Sequence, residues 1–446
     1  MSSVPVFPLV RRTNAELLPE RRFEGDLFDR EQLAQRLTGL LSRMPEGAVL
    51  AIDSPWGDGK TWFGRRWHAS LRDDGFRTAF VDCFQRDHID DPFVVIAGEL
   101  LELAKRDNDS SRNKLLAAGV KLGASLIPAA TKMAVNAAGH LILGNSGLSD
   151  DIVKSLESLD SAAASGLEKL VAKRLEDYQT DKKGIEGFRS ALKDMAAESA
   201  KPVVIFLDEL DRCRPDFAVR MIERIKHFFD VPGVVFVLLI NRRQLVAAIK
   251  GMYGSNLDAE AYLAKFVQLM LTLPKSNSLD RSAPNDNISY CKQVLKRYQF
   301  PVSANHVSDF ALAMGTLATL FNLSLRDIER SVVLYSFAQP VQSGSAHLAW
   351  PIALKLAKPD LFKALQANGR RAHADTMDVI ANLGGAGSAA SHVLSLFGKL
   401  HQLASDAAET TPPADVLGAM HEVSNLGSPK AFMQWFFQRV DLELPQ

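Results

Sequence analysis

Between residues 54 and 62 the sequence reads Ser54-Pro55-Trp56-Gly57-Asp58-Gly59-Lys60-Thr61-Trp62, directly after the apolar run Ala48 to Asp53 and at the start of a helix opening at Lys60. Glycine tolerates the backbone angles that turn successive N–H groups inward, and lets the chain approach an anion closely. Lys60 adds a mobile positive charge, and the N-terminus of the following helix adds a partial one. The Thr61 hydroxyl is placed to ligate magnesium once phosphates are held. All nine residues from Ser54 to Trp62 are therefore candidates for lining a polyphosphate site. Ser54 stands where such loops usually carry their first glycine, a change that ordinary backbone angles would accommodate. The plainer alternative is a glycine-rich strand–helix turn with a surface lysine.

A second constellation bears on the first. Val203 to Leu207 is an uninterrupted apolar run ending in Asp208-Glu209-Leu210-Asp211-Arg212. Such a run fits a central parallel strand buried on both faces. A carboxylate at its end can hold magnesium through the ion's water shell, the role expected of Asp208. Glu209, one residue on, can polarise an attacking water as general base. A third polar position, Asn241, ends the run Val234 to Ile240. It suits either a sensor between water and the terminal phosphate or a helix N-cap. A guanine-reading N-K-x-D element is not formed there, because Arg242-Arg243-Gln244 supplies neither the lysine nor the aspartate. The chemistry implied is hydrolysis of Mg-ATP, with Lys60, Glu209 and Asn241 as catalytic candidates and Thr61 and Asp208 as metal ligands.

Other polar clusters read as structural. Asp87-His88 with Asp90-Asp91 lies in a strand–helix loop, where capping accounts for the acids. Gly384 to Ser388 has neither a lysine nor a preceding strand. Trp435-Phe436-Phe437 reads as core or a docking face, and Cys213 as packing.

Positioning these groups takes a sheet. Strands are expected at Ala48–Asp53, Thr78–Asp82, Val203–Asp208, Val234–Ile240 and Val267–Leu273, alternating with helices that include Arg30–Leu41 and Asp216–Phe229. That order predicts a three-layer α/β fold around a parallel sheet. Residues 112–200 are helical in character and too long for a crossover, so they read as a helical insertion. From Asp286 the periodicity is helical throughout, giving an all-α C-terminal domain. The expected divisions are a lead-in over 1–25, a core over 26–111 and 201–275, the insertion over 112–200 and the helical domain over 286–446.

The apolar part of the insertion, Leu115 to Leu143, carries Lys121, Lys132, Asn136 and His140. Its flanking strands belong to one sheet, so the chain would cross a bilayer an even number of times. Two spans need about 40 apolar residues, more than the segment holds. Spanning is not expected; peripheral membrane association stays open. The chain has 446 residues, 47% of them apolar, enough for two or three units with buried cores. Its 52 basic and 52 acidic side chains cancel, so net charge gives no nucleic-acid signal. Three dispersed cysteines fit neither a disulfide framework nor a zinc site and suit a reducing cytoplasm.

Several segments together resemble the KAP family of P-loop NTPases. They are Pro55 to Thr61, Leu207 to Pro215, Glu223 to Lys226, Ile240 to Leu245 with Ala248-Ile249, Tyr262 to Phe266 before Leu273-Pro274, and Leu325 to Arg330. Asp26 to Gln32 is similar to the family's segment ahead of the first strand, which helps cover the base. The resemblance implies a P-loop NTPase of the additional-strand, catalytic-glutamate type. It also implies ATP hydrolysis coupled to conformational change or assembly, and an insertion between the two motif strands. Departures are Ser54 for glycine, Asn241 where aspartate is commoner, and an insertion without membrane-spanning character. The implied setting is a bacterial cytoplasmic ATPase of anti-phage defence, acting as a homo-oligomer or with a partner encoded in the same operon. In such an assembly Arg212, Arg242, Arg243 or Arg326 could reach a neighbour's nucleotide, and Arg326 could alternatively act as a sensor within its own chain. The alternative function is a nucleotide-dependent switch or scaffold with little turnover, which presents a partner surface when ATP is bound.

Overall fold

A computed structural model describes residues 22–106 apart from 90, 186–226, 231–276 with 278, 285–300, 305–338, 345–367, 371–384, 388–405 and 428–441. Most of the insertion, including the apolar stretch Leu115 to Leu143, lies outside them, as does most of the lead-in. The chain divides into two compact units. One comprises residues 35–53 and 64–271; the other comprises 1–34, 54–63 and 272–446.

The first unit holds the sheet. In chain order the elements are α1 (Arg30–Leu41) and, after β1 (Ala48–Asp53), α2 (Lys60–Asp73), both of whose first turns belong to the other unit, then β2 (Thr78–Asp82), the short α3 (Cys83–Arg86) and α4 (Pro92–Arg106). After residue 185 come β3 (Val203–Asp208), α5 (Pro215–Lys226), β4 (Val234–Ile240), α6 (Arg242–Tyr253), α7 (Ala259–Ala264) and β5 (Leu269–Thr272). The strand order is β2-β3-β4-β1-β5. Pairings β2–β3, β3–β4 and β4–β1 are parallel, so β4 is the additional strand between β1 and β3. Every residue of β3 and β4 is buried, as strands covered on both faces require.

The two faces separate by side-chain alternation. Ile205, Leu207, Phe236 and Leu238 point into a core built with α4, α5 and α6. On the opposite face Phe206 meets Trp67 of α2 edge-on at 5.2 Å and stacks with Phe80 at 5.8 Å. A Cβ on Gly64 would lie 2.1 Å from Leu239 Cδ1, so glycine there permits α2 to seat on the sheet. Helices on both faces give three layers, as expected. A helical stretch over 186–197, at the end of the expected insertion, places Phe188, Leu192 and Met195 in the same core.

The fifth strand is shorter than the apolar run suggests. Gln268 takes over at its start: its N–H donates to Val49 O and its Oε1 accepts from Val49 N at 2.7 Å.

Among the described residues of the second unit, the elements from residue 286 onward are helical. It contains α8 (Asp286–Arg297), α9 (Asn305–Leu320), α10 (Leu325–Phe337), α11 (Ala349–Ala357) and α12 (Pro359–Gln366). α13 (Ala372–Leu383), α14 (Ser388–Ser405) and α15 (Pro429–Val440) complete the described helices. α8 and α9 cross closely, since a Cβ on Gly315 would fall 2.6 Å from Ile288 Cα. Trp350 of α11 stacks on Phe397 of α14 at 5.0 Å. Among the described residues no helix is long and apolar enough to cross a membrane.

This helical core contains a buried imidazole pair. Trp350 Nε1 donates to His401 Nε2 at 2.7 Å, which leaves the His401 proton on Nδ1, 3.0 Å from His373 Nδ1. Burial first, and then the neighbouring His373, push the His401 pKa down from 6.5 to about 3. His373 is lowered by burial and by Lys430. A base whose folded pKa lies below its unfolded one refuses a proton that the unfolded chain accepts. Stability therefore falls as pH drops below about 6.5 and continues to fall toward 3. Between pH 7 and pH 5 the expected loss from His401 is about 2 kcal/mol. Urea unfolding of the helical unit should show it as a lower midpoint at pH 5, with a weaker pH dependence in His401→Gln.

Candidate functional site

The loop after β1 has the backbone its glycines allow. Gly57 and Gly59 have φ of +92° and +84°, a region costly for residues with a Cβ. Ser54 is not among the described residues with positive φ, which is why serine serves in place of glycine. A Cβ on Gly57 would sit 2.7 Å from both Arg326 Cβ and Ser324 Oγ, and one on Gly59 would sit 2.7 Å from Arg30 Nη1. Small residues are thus required by space as well as by conformation.

Lys60 is buried, and its ammonium donates to Ser54 O at 2.6 Å and to Pro55 O at 3.5 Å. The ammonium is thereby held across the loop it would serve. Thr61 follows in the first turn of α2. Trp62 packs edge-on against Phe23 at 5.8 Å, so it anchors the lead-in segment. Trp56 is 44% exposed.

The loop is gripped by residues distant in sequence. Arg30 donates from Nη2 to Asp58 O at 2.8 Å and from Nη1 to Gly59 O at 3.3 Å. Its guanidinium lies 4.8 Å from the Phe28 ring centroid. Burial lowers its pKa from 12.5 to about 10, with Asp58 and Asp26 opposing, so it stays charged at neutral pH. Asp58 Oδ1 accepts from the backbone N–H of Leu325 at 3.0 Å and from Lys275 Nζ at 3.2 Å. Arg326, the late arginine candidate, donates its backbone N–H to Gly57 O at 3.2 Å. Neither Arg30 nor Lys275 stands out in the sequence, because each reaches the loop from far along the chain. The one local signal is Ser324 with Asp327, a capping box that begins α10 at this point.

In the sheet unit, β1, β3 and β4 end together, with Asp208 paired in register with Leu239 and Asp53 with Ile240. Asp208 is buried, and its Oδ1 accepts from Glu209 N at 2.9 Å. Glu209 has a left-handed backbone, φ 59° and ψ 23°, a conformation uncommon outside glycine and often found at functional positions. Its carboxylate is ion-paired with Arg212, whose guanidinium lies 5.1 Å from the Phe84 ring centroid. Asn241 caps α6, its side chain accepting from Gln244 N at 3.4 Å. Asp53, which sequence reasoning passed over, accepts from Arg242 N at 2.8 Å and so ties the end of β1 to the same helix start.

Of the acids set aside as structural, Asp87 and Asp91 make structural contacts, and Asp90 lies outside the described residues. Asp87 accepts from Arg214 N at 3.1 Å, and Asp91 accepts from Phe93 N and pairs with Arg224 at 2.9 Å. Cys83 and Cys213 are both buried, which raises their thiol pKa values well above the ordinary range, so neither is a ready nucleophile.

The loop fits a polyphosphate, with positive-φ glycines, a lysine and a helix start in one segment. The Thr61 hydroxyl and Asp208 carboxylate are hard oxygen donors of the kind magnesium takes alongside water.

No curated protein sequence matches the chain. Among solved structures it is similar to a DNA replication initiation factor, at 11% identity and a TM-score of 0.35 over 95% of this chain and 98% of that one. It is also similar to the ORC2 protein of Aeropyrum pernix, solved as ADPNP and ADP complexes, at 10% identity and a TM-score of 0.35, covering 94% and 95%. The ORC1 protein of Aeropyrum pernix, solved in complex with DNA, gives 14% identity and 0.32, covering 90% and 84%. The KAP family P-loop domain matches residues 30–336, from Arg30 beside the loop to the helix that carries Arg326. The chain belongs to the KAP family of P-loop proteins.

Proposed function

We propose that this chain binds Mg-ATP through Gly57, Gly59, Lys60 and Thr61 and hydrolyses it, with Asp208 serving the metal and Glu209 acting as general base. The observation that carries the reading is the loop itself, two positive-φ glycines leading into Lys60 at a helix start. Backbone N–H groups and the Lys60 ammonium would hold the phosphates, while the α2 N-terminus adds its dipole. Magnesium, when bound to Thr61 and through water to Asp208, would supply charge neutralisation at the phosphates. Glu209 would take a proton from the attacking water at its carboxylate, a contribution of about 10²–10⁴ in rate. Asn241 suits a sensor role as well as its cap, and Arg326 suits a sensor in its own chain. Conformational change or assembly is the reading's output. A role in bacterial anti-phage defence, with like copies or an operon partner, rests on the family resemblance alone.

One observation favours a second reading, a nucleotide switch with little turnover. Glu209 is tied to Arg212, and a carboxylate held by an arginine is not free to turn toward an attacking water. Titration calorimetry of the purified chain with ATP and GTP, with and without magnesium, tests the shared claim. Magnesium-dependent ATP binding is expected, with GTP weaker; failure to bind either nucleotide would refute both readings.

A further inference from the structure

Asp58 is an odd residue for an anion-binding loop, because a carboxylate beside incoming phosphates repels them. The structure shows where its charge goes. Asp58 and Lys275 form an ion pair whose side chains are only 13% and 12% exposed, so water screens it weakly. The same oxygen receives the first backbone N–H of α10, from Leu325, where the helix dipole favours negative charge. Lys275 is fixed in turn by donating to Leu323 O at 3.1 Å. The neighbouring Gly57 carbonyl takes the next N–H of α10, from Arg326. The loop tip is thus bonded at two successive positions to the helix start, while Arg30 holds its Asp58 and Gly59 carbonyls.

We propose that Lys275 and the start of α10 act on the phosphate loop through Asp58, cancelling its charge and fixing its tip, so that the helical segment sets the loop's affinity for a triphosphate. This rests on the reading of the loop as a triphosphate site. Lys275 is then a positioning residue: it neutralises an anion of the loop, whereas Lys60 meets the ligand. Any shift of α10 or of the segment carrying Lys275 would uncover the Asp58 carboxylate and expel the ligand. Conversely, a bound triphosphate would favour the bonded arrangement of α10, because the same loop geometry serves both.

The test is epistasis, read as affinity for the magnesium complex of the β,γ-imido analogue of ATP. Lys275→Ala leaves Asp58 unpaired and is expected to weaken binding about tenfold, the scale of one uncompensated charge a few ångströms from a polyanion. Asp58→Asn keeps the acceptor for Leu325 and removes the repelling charge while Lys275 stays, so it should bind several-fold more tightly than wild type by the same electrostatic reasoning. In Asp58→Asn/Lys275→Ala no anion is left to neutralise, and most of the tenfold loss should be recovered. Lys275→Arg should retain binding. A second readout does not depend on ligand: amide exchange at Leu325 should quicken in Asp58→Ala, which removes its acceptor, and stay slow in Asp58→Asn.

If Lys275 grips the phosphates directly, Asp58→Asn will not rescue Lys275→Ala, and the proposal is overturned while the nucleotide site stands. Unchanged Leu325 exchange in Asp58→Ala would also overturn it. Absence of analogue binding by wild type would remove the nucleotide reading itself, and the proposal with it.

Discussion

Lys60→Ala is expected to weaken Mg-ATP binding by roughly 100-fold, corresponding to loss of charge-assisted hydrogen bonds worth about 3 kcal/mol. The ammonium already lies inside the loop, buried and bonded to the Ser54 carbonyl. It need only exchange a carbonyl for a phosphate oxygen, with little side-chain ordering left to oppose binding. The substitution also removes the donor to Ser54 O, a loss of about 1–2 kcal/mol in stability. Thermal melting without nucleotide measures that part separately, and titration calorimetry measures the affinity. Lys60→Arg should not restore binding fully, because a planar fork does not replace a compact charge in a cradle walled by Arg30 and Arg326.

Glu209→Gln is expected to lower hydrolysis by about 10²–10⁴ while leaving Mg-ATP binding within a few-fold of wild type. Glutamine keeps the shape and the left-handed backbone but cannot accept the proton. The lost pairing with Arg212 should matter little for stability, since that arginine side chain is 41% exposed and solvent screens the pair. Measuring binding and turnover on the same sample separates the base role from a positional one. Parallel losses in both would assign Glu209 to ligand binding instead.

Much of the architecture could be read from residue pattern alone. β1, β2, β3 and β4 fall where the apolar runs place them, because buried parallel strands need continuous apolar side chains and their ends are marked by Asp53, Asp82, Asp208 and Asn241. α1 likewise matches its leucine spacing. β5 starts later than its run, because Gln268 pairs with the β1 backbone through its side chain, and hydrophobicity carries no trace of such a bond. The insertion between α4 and β3 is described only over 186–200 within its expected bounds.

The candidate site divides in the same way. Gly57, Gly59 and Lys60 are legible because local conformation demands them. The fastenings of the loop were not: Arg30 lies 28 residues from Asp58, Lys275 lies 217 and Leu325 lies 267. Nothing local to an arginine or lysine announces a partner so far along the chain. Asn241 could be read as either sensor or cap, and the hydrogen bond to Gln244 shows the cap. The left-handed backbone of Glu209 and its pairing with Arg212 follow from the turn after β3, which a strand-then-acid pattern does not specify.

The central claim is that one loop and two carboxylates make this chain an ATP hydrolase, and single-turnover hydrolysis tests it most directly. Protein in excess over Mg-ATP is mixed and quenched, and bound ATP and ADP are separated, for wild type and Glu209→Gln. The account predicts that wild type converts the bound ATP to ADP and phosphate, while Glu209→Gln holds ATP intact over the same interval. Equal conversion by the two proteins, or intact ATP on both, would contradict it.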